Sequence, residues 1–169
     1  MKKENGLTFI GTVFLIILIA FIVFGVIYFL KVEKEKEELE NLKTDMLLLE
    51  VKVNNIIGEY LVEKKEEVLV GTKLSELKDQ EHIKAFLEKD LFDENKKGKL
   101  YYVINQENLN ELELGQIILP ENTYYIVDYK DGNIYYTKGF ETKVVKTYYE
   151  IKDIENINTE EINKWKKKN

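Results

Sequence analysis

The chain has no cysteine, one proline and one histidine, and all 25 of its cationic residues are lysines. Without cysteine there can be no disulfide, thiol nucleophile or thiolate metal site. Without arginine, the planar bidentate fork best suited to phosphates and base edges is missing. The lone histidine, His82, leaves catalytic triads and histidine-clustered metals almost nothing to work with. Neither an enzyme nor a cofactor is expected, and His82, in Gln80-Glu81-His82-Ile83, reads as a surface residue. What remains is 169 residues, one domain by length, 44% hydrophobic and 33% charged, with a net charge of −6. Such a composition folds and excludes wholesale disorder.

No charge interrupts the run from Leu7 to Leu30. As a helix it is about 36 Å long, enough to cross a hydrocarbon core of about 30 Å with some tilt. It exceeds the apolar core of a secretory signal, and no small-residue cleavage pattern follows Tyr28-Phe29-Leu30, so the segment is expected to stay as a membrane anchor. Lys2 and Lys3 precede it, and Lys31, Lys34, Lys36 and Lys43 follow it, so lysine counting leaves the orientation open.

The helical signal continues past the membrane. Leu39, Leu42, Met46, Leu49, Val53, Ile56 and Tyr60 are spaced alternately three and four apart, with glutamates and lysines between them. One helix from about Leu7 to about Lys65 is predicted, ending before Gly71. Its stripe suits either a coiled-coil seam or the core of the chain's own C-terminal domain. The additional apolar positions Leu47, Leu48, Val51 and Ile57 widen the face and favour the second.

Beyond it, a short helix is expected from about Ser75 or Asp79 to Leu91, with Ile83, Phe86 and Leu87 inward. Four β-rich segments follow, each with a tyrosine pair: 100–104, 123–127, 133–137 and 147–151. Asn105 to Leu114 reads as a brief helix ended by Gly115, and Lys130-Asp131-Gly132-Asn133 as a hairpin turn with Asp-Gly at positive φ. The sheet should bury one face under the long helix, through Leu42, Met46, Leu49 and Val53, and turn one ring of each pair outward. The expected fold class is α+β: a long N-terminal helix, half transmembrane and half soluble, on a small antiparallel sheet. The boundaries read 1–6, 7–30, 31–70, 71–155 and a polar, basic tail 156–169.

The first residues, Met1-Lys2-Lys3-Glu4-Asn5-Gly6-Leu7-Thr8-Phe9-Ile10-Gly11, resemble the prepilin signature of type IV pilins and type II secretion pseudopilins. The resemblance implies a leader, residues 1–6, cut between Gly6 and Leu7 by a prepilin peptidase, with Leu7 then N-methylated. It also implies a cytoplasmic leader held by Lys2 and Lys3, an exported head, and assembly with other pilin-like subunits through the helix that begins Thr8, Phe9, Ile10, Gly11. The long helix and small sheet match the family's pilin-like architecture. One position departs: the family places glutamate at the fifth mature residue, where this chain has Gly11. That carboxylate neutralises a neighbour's N-terminus in the filament core, so its absence points to a minor subunit, at a tip or divergent.

The resemblance therefore implies a structural subunit of a pilus or secretion pseudopilus, first in the cytoplasmic membrane and then in a surface filament. A membrane-anchored head that binds a partner without polymerising is the main alternative. A tip subunit binding nucleic acid through outward tyrosines or the tail Lys164-Trp165-Lys166-Lys167-Lys168 is a lesser one, against which the net acidity weighs. Asp128, Asp131 and Asn133 lack the spacing of a calcium loop and read as turn residues, and Glu66-Glu67 and Glu160-Glu161 read as solvated.

Overall fold

A computed structural model describes residues 4–92, 98–142 and 146–157, with side chains from Gly11 onward. Two compact units are distinguished, Met1–Glu38 and Leu39–Asn169. Helix α1, Glu4–Glu63, contributes to both. It is followed by β1 (Thr72–Lys73), α2 (Leu74–Leu77), α3 (Glu81–Leu87), β2 (Tyr101–Ile104), α4 (Gln106–Glu111), β3 (Tyr125–Asp128), β4 (Asn133–Glu141), β5 (Thr147–Glu150) and α5 (Ile151–Glu155). The five strands form one antiparallel sheet in the order β1-β2-β3-β4-β5. The fold is α+β, a long N-terminal helix whose far part lies on an antiparallel sheet.

The stripe at helical period is what seats α1 on the sheet. Leu39, Met46, Leu49 and Val53 are fully buried, in one cluster with Tyr102, Ile104, Tyr125, Val127, Ile134 and Tyr136. Leu42 and Tyr60 pack partly against the same cluster. Strand alternation explains the set, since 102 and 104, 125 and 127, and 134 and 136 all point to one face. Leu109, Leu112 and Leu114 from α4 and its exit, and Ile151, Ile154 and Ile157 around α5, close the sides of this core. The seam is narrower than the sequence suggests. Leu47, Leu48 and Val51 are exposed, and of the extra apolar positions only Ile57 packs against the core.

The opposite face of the sheet is also covered, which corrects the expectation of a single buried face. Leu74, Ile83 and Phe86, from α2 and α3, bury Val103, Ile126 and Tyr135. The second ring of each tyrosine pair is therefore not free. Phe92 lies 4.5 Å from Tyr101 and 4.6 Å from Tyr135 between ring centroids, and Phe86 meets Tyr149 edge-on at 5.7 Å. With helices on both faces, the head is three layers deep.

Several boundaries move for local backbone reasons. α1 ends at Glu63 because Lys64 turns left-handed, φ 59°, after its N–H donates the last helical bond to Tyr60 O at 2.9 Å. Gly71 plays a different part. At φ 108° it lets β1 approach β2 so closely that a Cβ there would lie 2.7 Å from the Val103 carbonyl oxygen. The single helix expected from residue 75 or 79 to Leu91 is two short ones, separated where Gln80 is extended. α4 begins at a capping box, in which Asn105 and Asn108 each accept the other's backbone N–H. It stops where Glu113 is left-handed, φ 60°, and not at Gly115. In the β3–β4 turn, only Gly132 has positive φ.

One carboxylate sits unfavourably on the core side of α1. Asp45 is partly buried, and desolvation raises its pKa; its charge also reaches Tyr125 and Tyr136, whose hydroxyls burial pushes up, that of Tyr136 to about 12. A carboxyl whose folded pKa lies above its unfolded one stabilises the fold while protonated, and that contribution is lost as pH rises through the folded value. Asp45→Asn should therefore raise the melting temperature near neutral pH. The gain should disappear below about pH 3.9, the ordinary carboxylate value. Thermal melts of the detergent-solubilised full chain across that range test it; a gain that persists in acid contradicts the assignment.

Candidate functional site

From Gly11 to Leu30, every side chain of α1 is exposed. Phe14, Phe21 and Phe24 are 66%, 74% and 72% exposed. No charge lies among these residues, and helical geometry satisfies the backbone internally, the one arrangement by which a single segment can enter hydrocarbon. The helix is long and apolar enough to cross a membrane. Its composition, apolar on every side, differs from that of the stretch after Leu39, where burial follows a stripe. The rod is built for apolar surroundings on all faces, whether acyl chains or other helices.

The residues singled out for processing lie at its start. Gly6 and Leu7 fall within the first turns of α1, which begins at Glu4, as do Thr8, Phe9 and Ile10, while Lys2 and Lys3 lie outside the described residues. The first N–H groups of a helix lack intrahelical acceptors, and glycine is a weak helix former. Gly6 is thus a point of low helix propensity near the start of the described part of α1. Gly11 is exposed, and a Cβ built on it meets nothing within 4 Å; the same holds for Gly25. Crowding within the chain does not demand glycine at either place.

The head carries polar organisation that sequence reading missed. Asp128, fully buried at the end of β3, accepts from Lys99 Nζ at 2.8 Å through Oδ2, and from the backbone N–H groups of Leu100 and Lys130 at 3.2 and 3.0 Å through Oδ1. Lys99 also donates to Asp131. Hydrogen bonds to Asp128 and then Asp131 hold the Lys99 ammonium well above the ordinary lysine range. Of the three residues considered for calcium, Asp128 and Asp131 thus surround Lys99, while Asn133, the first residue of β4, accepts from Lys152 Nζ at 2.9 Å. An aspartate closing a strand just before a Lys-Asp-Gly turn was the available signal; its lysine partner, distant in sequence, was not.

Other cross-connections fasten α1 to the head. Lys43 Nζ donates to the Ile157 carbonyl at 3.1 Å, and Lys52 pairs with Glu113 at 2.9 Å, which lowers the Glu113 pKa. In the segment between α1 and β1, the Val70 carbonyl accepts from Tyr129 Oη at 2.9 Å. A cavity of about 260 Å³ between α2 and β2 is lined by Lys73, Lys78 and Lys99, but Lys73 is paired with Glu66 at 2.5 Å and Lys99 with Asp128. His82 lines a shallow recess on the α3 side with Lys89 and Lys138. The lysine-rich tail from Lys164 to Lys168 and the Glu160-Glu161 pair lie outside the described residues.

The class these features define is an α+β head built around the far part of a helix whose near part is a fully apolar rod. No family model, curated protein or solved structure matches the chain.

Proposed function

We propose that the chain is a structural subunit of a type IV pilus-like or pseudopilus-like filament, processed between Gly6 and Leu7 and assembled through its apolar helix. One observation carries this reading. A single helix joins a rod exposed and uncharged from Gly11 to Leu30 to a stripe, from Leu39 on, sealed into the core of a folded head. Such a rod can exchange lipid for the rods of sister subunits with little change in apolar contact, while the head stays in water. The N-terminal residues Lys2 to Gly11 supply the resemblance to a prepilin leader. Gly11, in place of the family's glutamate, supports a minor subunit, since no carboxylate is present there to neutralise a neighbour's terminus.

In operation, the chain first resides in the cytoplasmic membrane with Lys2 and Lys3 inside. After cleavage the Leu7 amine is freed and methylated, and the rod passes from bilayer to filament core. Mass spectrometry of the N-terminal peptide from membranes or sheared surface material should find methylated Leu7. Gly6→Val should accumulate the uncut form. An exported chain that still begins at Met1 or Lys2 overturns the proposal. In that event the second reading, an anchored head that does not polymerise, takes its place, and the missing carboxylate at Gly11 is the feature that favours it.

A further inference from the structure

A recess of about 390 Å³ lies between α3, the turn 120–123 and the middle of β4, within the head. It falls in the size range of small-ligand sites, about 300–1,000 Å³. Lys89 from α3 and Lys138 from β4 bring two ammonium groups to it. No carboxylate among the described residues pairs with either: Lys89 rests over the Tyr149 ring, 5.4 Å from its centroid, and Lys138 is exposed. They differ in this from Lys52, Lys73 and Lys99, each held by a carboxylate. The turn supplies a second set of groups, the Glu121 carboxylate and the Asn122 amide. Its backbone is fixed by the Thr123 N–H, which donates to the Pro120 carbonyl at 3.2 Å, and by Asn122 in the left-handed region, φ 57°. Phe86, almost fully buried, gives the recess an apolar wall.

These groups make a poor site for a bare anion, which Glu121 would repel. They suit a ligand that carries one anionic group among several hydroxyls. An ammonium can only donate and takes the anion; an ionised carboxylate can only accept and takes hydroxyl protons; an amide serves either. An apolar wall matches the carbon face of a ring. We infer that the recess binds an acidic sugar, a hexose ring bearing a carboxylate, with Lys89 and Lys138 on the carboxylate and Glu121 and Asn122 on the hydroxyls. The site lies wholly within the head, so it stands whether or not the chain polymerises.

Ligand-observed saturation-transfer NMR tests this on the full chain, solubilised in a polyoxyethylene detergent that contains no sugar. Glucuronate is the probe, with glucose and acetate as its two halves. Glucuronate should bind saturably, and glucose and acetate should each bind about tenfold more weakly or worse, the loss that goes with one charge-assisted contact. Lys89→Met and Lys138→Met should each weaken glucuronate by up to about fivefold, the scale of an exposed charge pair. Lys84→Met removes the same charge from α3 outside the recess and should change nothing. Glu121→Gln fixes what the site reads: it should weaken glucuronate, whereas in a site that reads charge alone it would strengthen it. All four substituted side chains are exposed, so the head should keep its fold. Glucuronate that does not saturate overturns the inference. So does acetate bound as well as glucuronate, a Lys84→Met loss equal to that of Lys138→Met, or a gain in Glu121→Gln.

Discussion

Leu49→Asp should unfold the head and leave the chain in the membrane. Leu49 has no exposed surface and lies in the cluster formed by α1 and the sheet residues Tyr102, Ile104, Tyr125 and Val127. Truncation to alanine at such a site costs about 2–5 kcal/mol, through lost apolar burial and the cavity left behind. A carboxylate adds the penalty of burying an unpaired charge, with no buried cation among the described residues to meet it. Together these approach the whole stability of a small domain, about 5–15 kcal/mol. The rod from Gly11 to Leu30 contains no residue of that cluster, so it has no reason to leave the bilayer. The control is the next residue. Leu48→Asp places the same charge on the outer side of the helix, where the side chain is 39% exposed, and should leave the head folded. Limited proteolysis of carbonate-washed membranes reads both properties: loss of the protease-resistant head for Leu49→Asp, retention for Leu48→Asp, and the membrane fraction for each. Equal resistance in the two variants would mean that the stripe does not hold the head together.

The contrast between these neighbouring leucines also shows how far the fold could be read from residue order. The three-and-four spacing from Leu39 to Tyr60 located the buried side of α1, because a helix resting on a sheet buries one narrow line of residues whatever the sheet looks like. The neighbouring apolar residues misled: Leu47, Leu48 and Val51 resemble a widened core face, and only tertiary packing shows them turned to the outside. The tyrosine pairs marked four of the five strands, since β-branched and aromatic runs between turn residues are a local signal. β1 is two residues long and exists only because Gly71 lets Thr72 and Lys73 approach Tyr102 and Val103. No local pattern announces that. The cover on the second face was hidden for the same reason. Phe92 touches Tyr101 and Tyr135 across long sequence separations, and a pleat predicts which ring points away from α1 but not what meets it. At the N-terminus the situation is reversed. The residues from Lys2 to Gly11 were legible as a motif, whereas the fold adds only that Gly6 and Leu7 lie near the start of α1 and that no described residue crowds Gly11.

Lys99→Met should be the most damaging single change in the polar part of the head, and a second substitution should repair most of it. Asp128 has no exposed surface, and Lys99 is the cation that compensates it, at 2.8 Å, with a side chain only 12% exposed. Removing one member of a buried pair leaves the other charged and uncompensated, typically at a cost of about 3–5 kcal/mol. The two backbone N–H groups that Asp128 holds, from Leu100 and Lys130, soften that cost without supplying a counter-charge. Asp128→Asn in the Lys99→Met background removes the stranded charge and keeps an oxygen for those donors, so stability should return most of the way. Asp128→Ala should not repair it, because the turn into β4 then loses both backbone bonds. The lysine's pKa is raised in the fold, so the pair's contribution is fully present below the ordinary lysine value of about 10.4 and is lost only as pH rises through the higher folded one. Urea unfolding of the detergent-solubilised full chain, run as a double-mutant cycle at neutral pH and again at about pH 10, should give the same coupling energy at both. A coupling near zero at neutral pH would show that the pair is no more than a surface contact, and that the hairpin between β3 and β4 is held by its backbone alone.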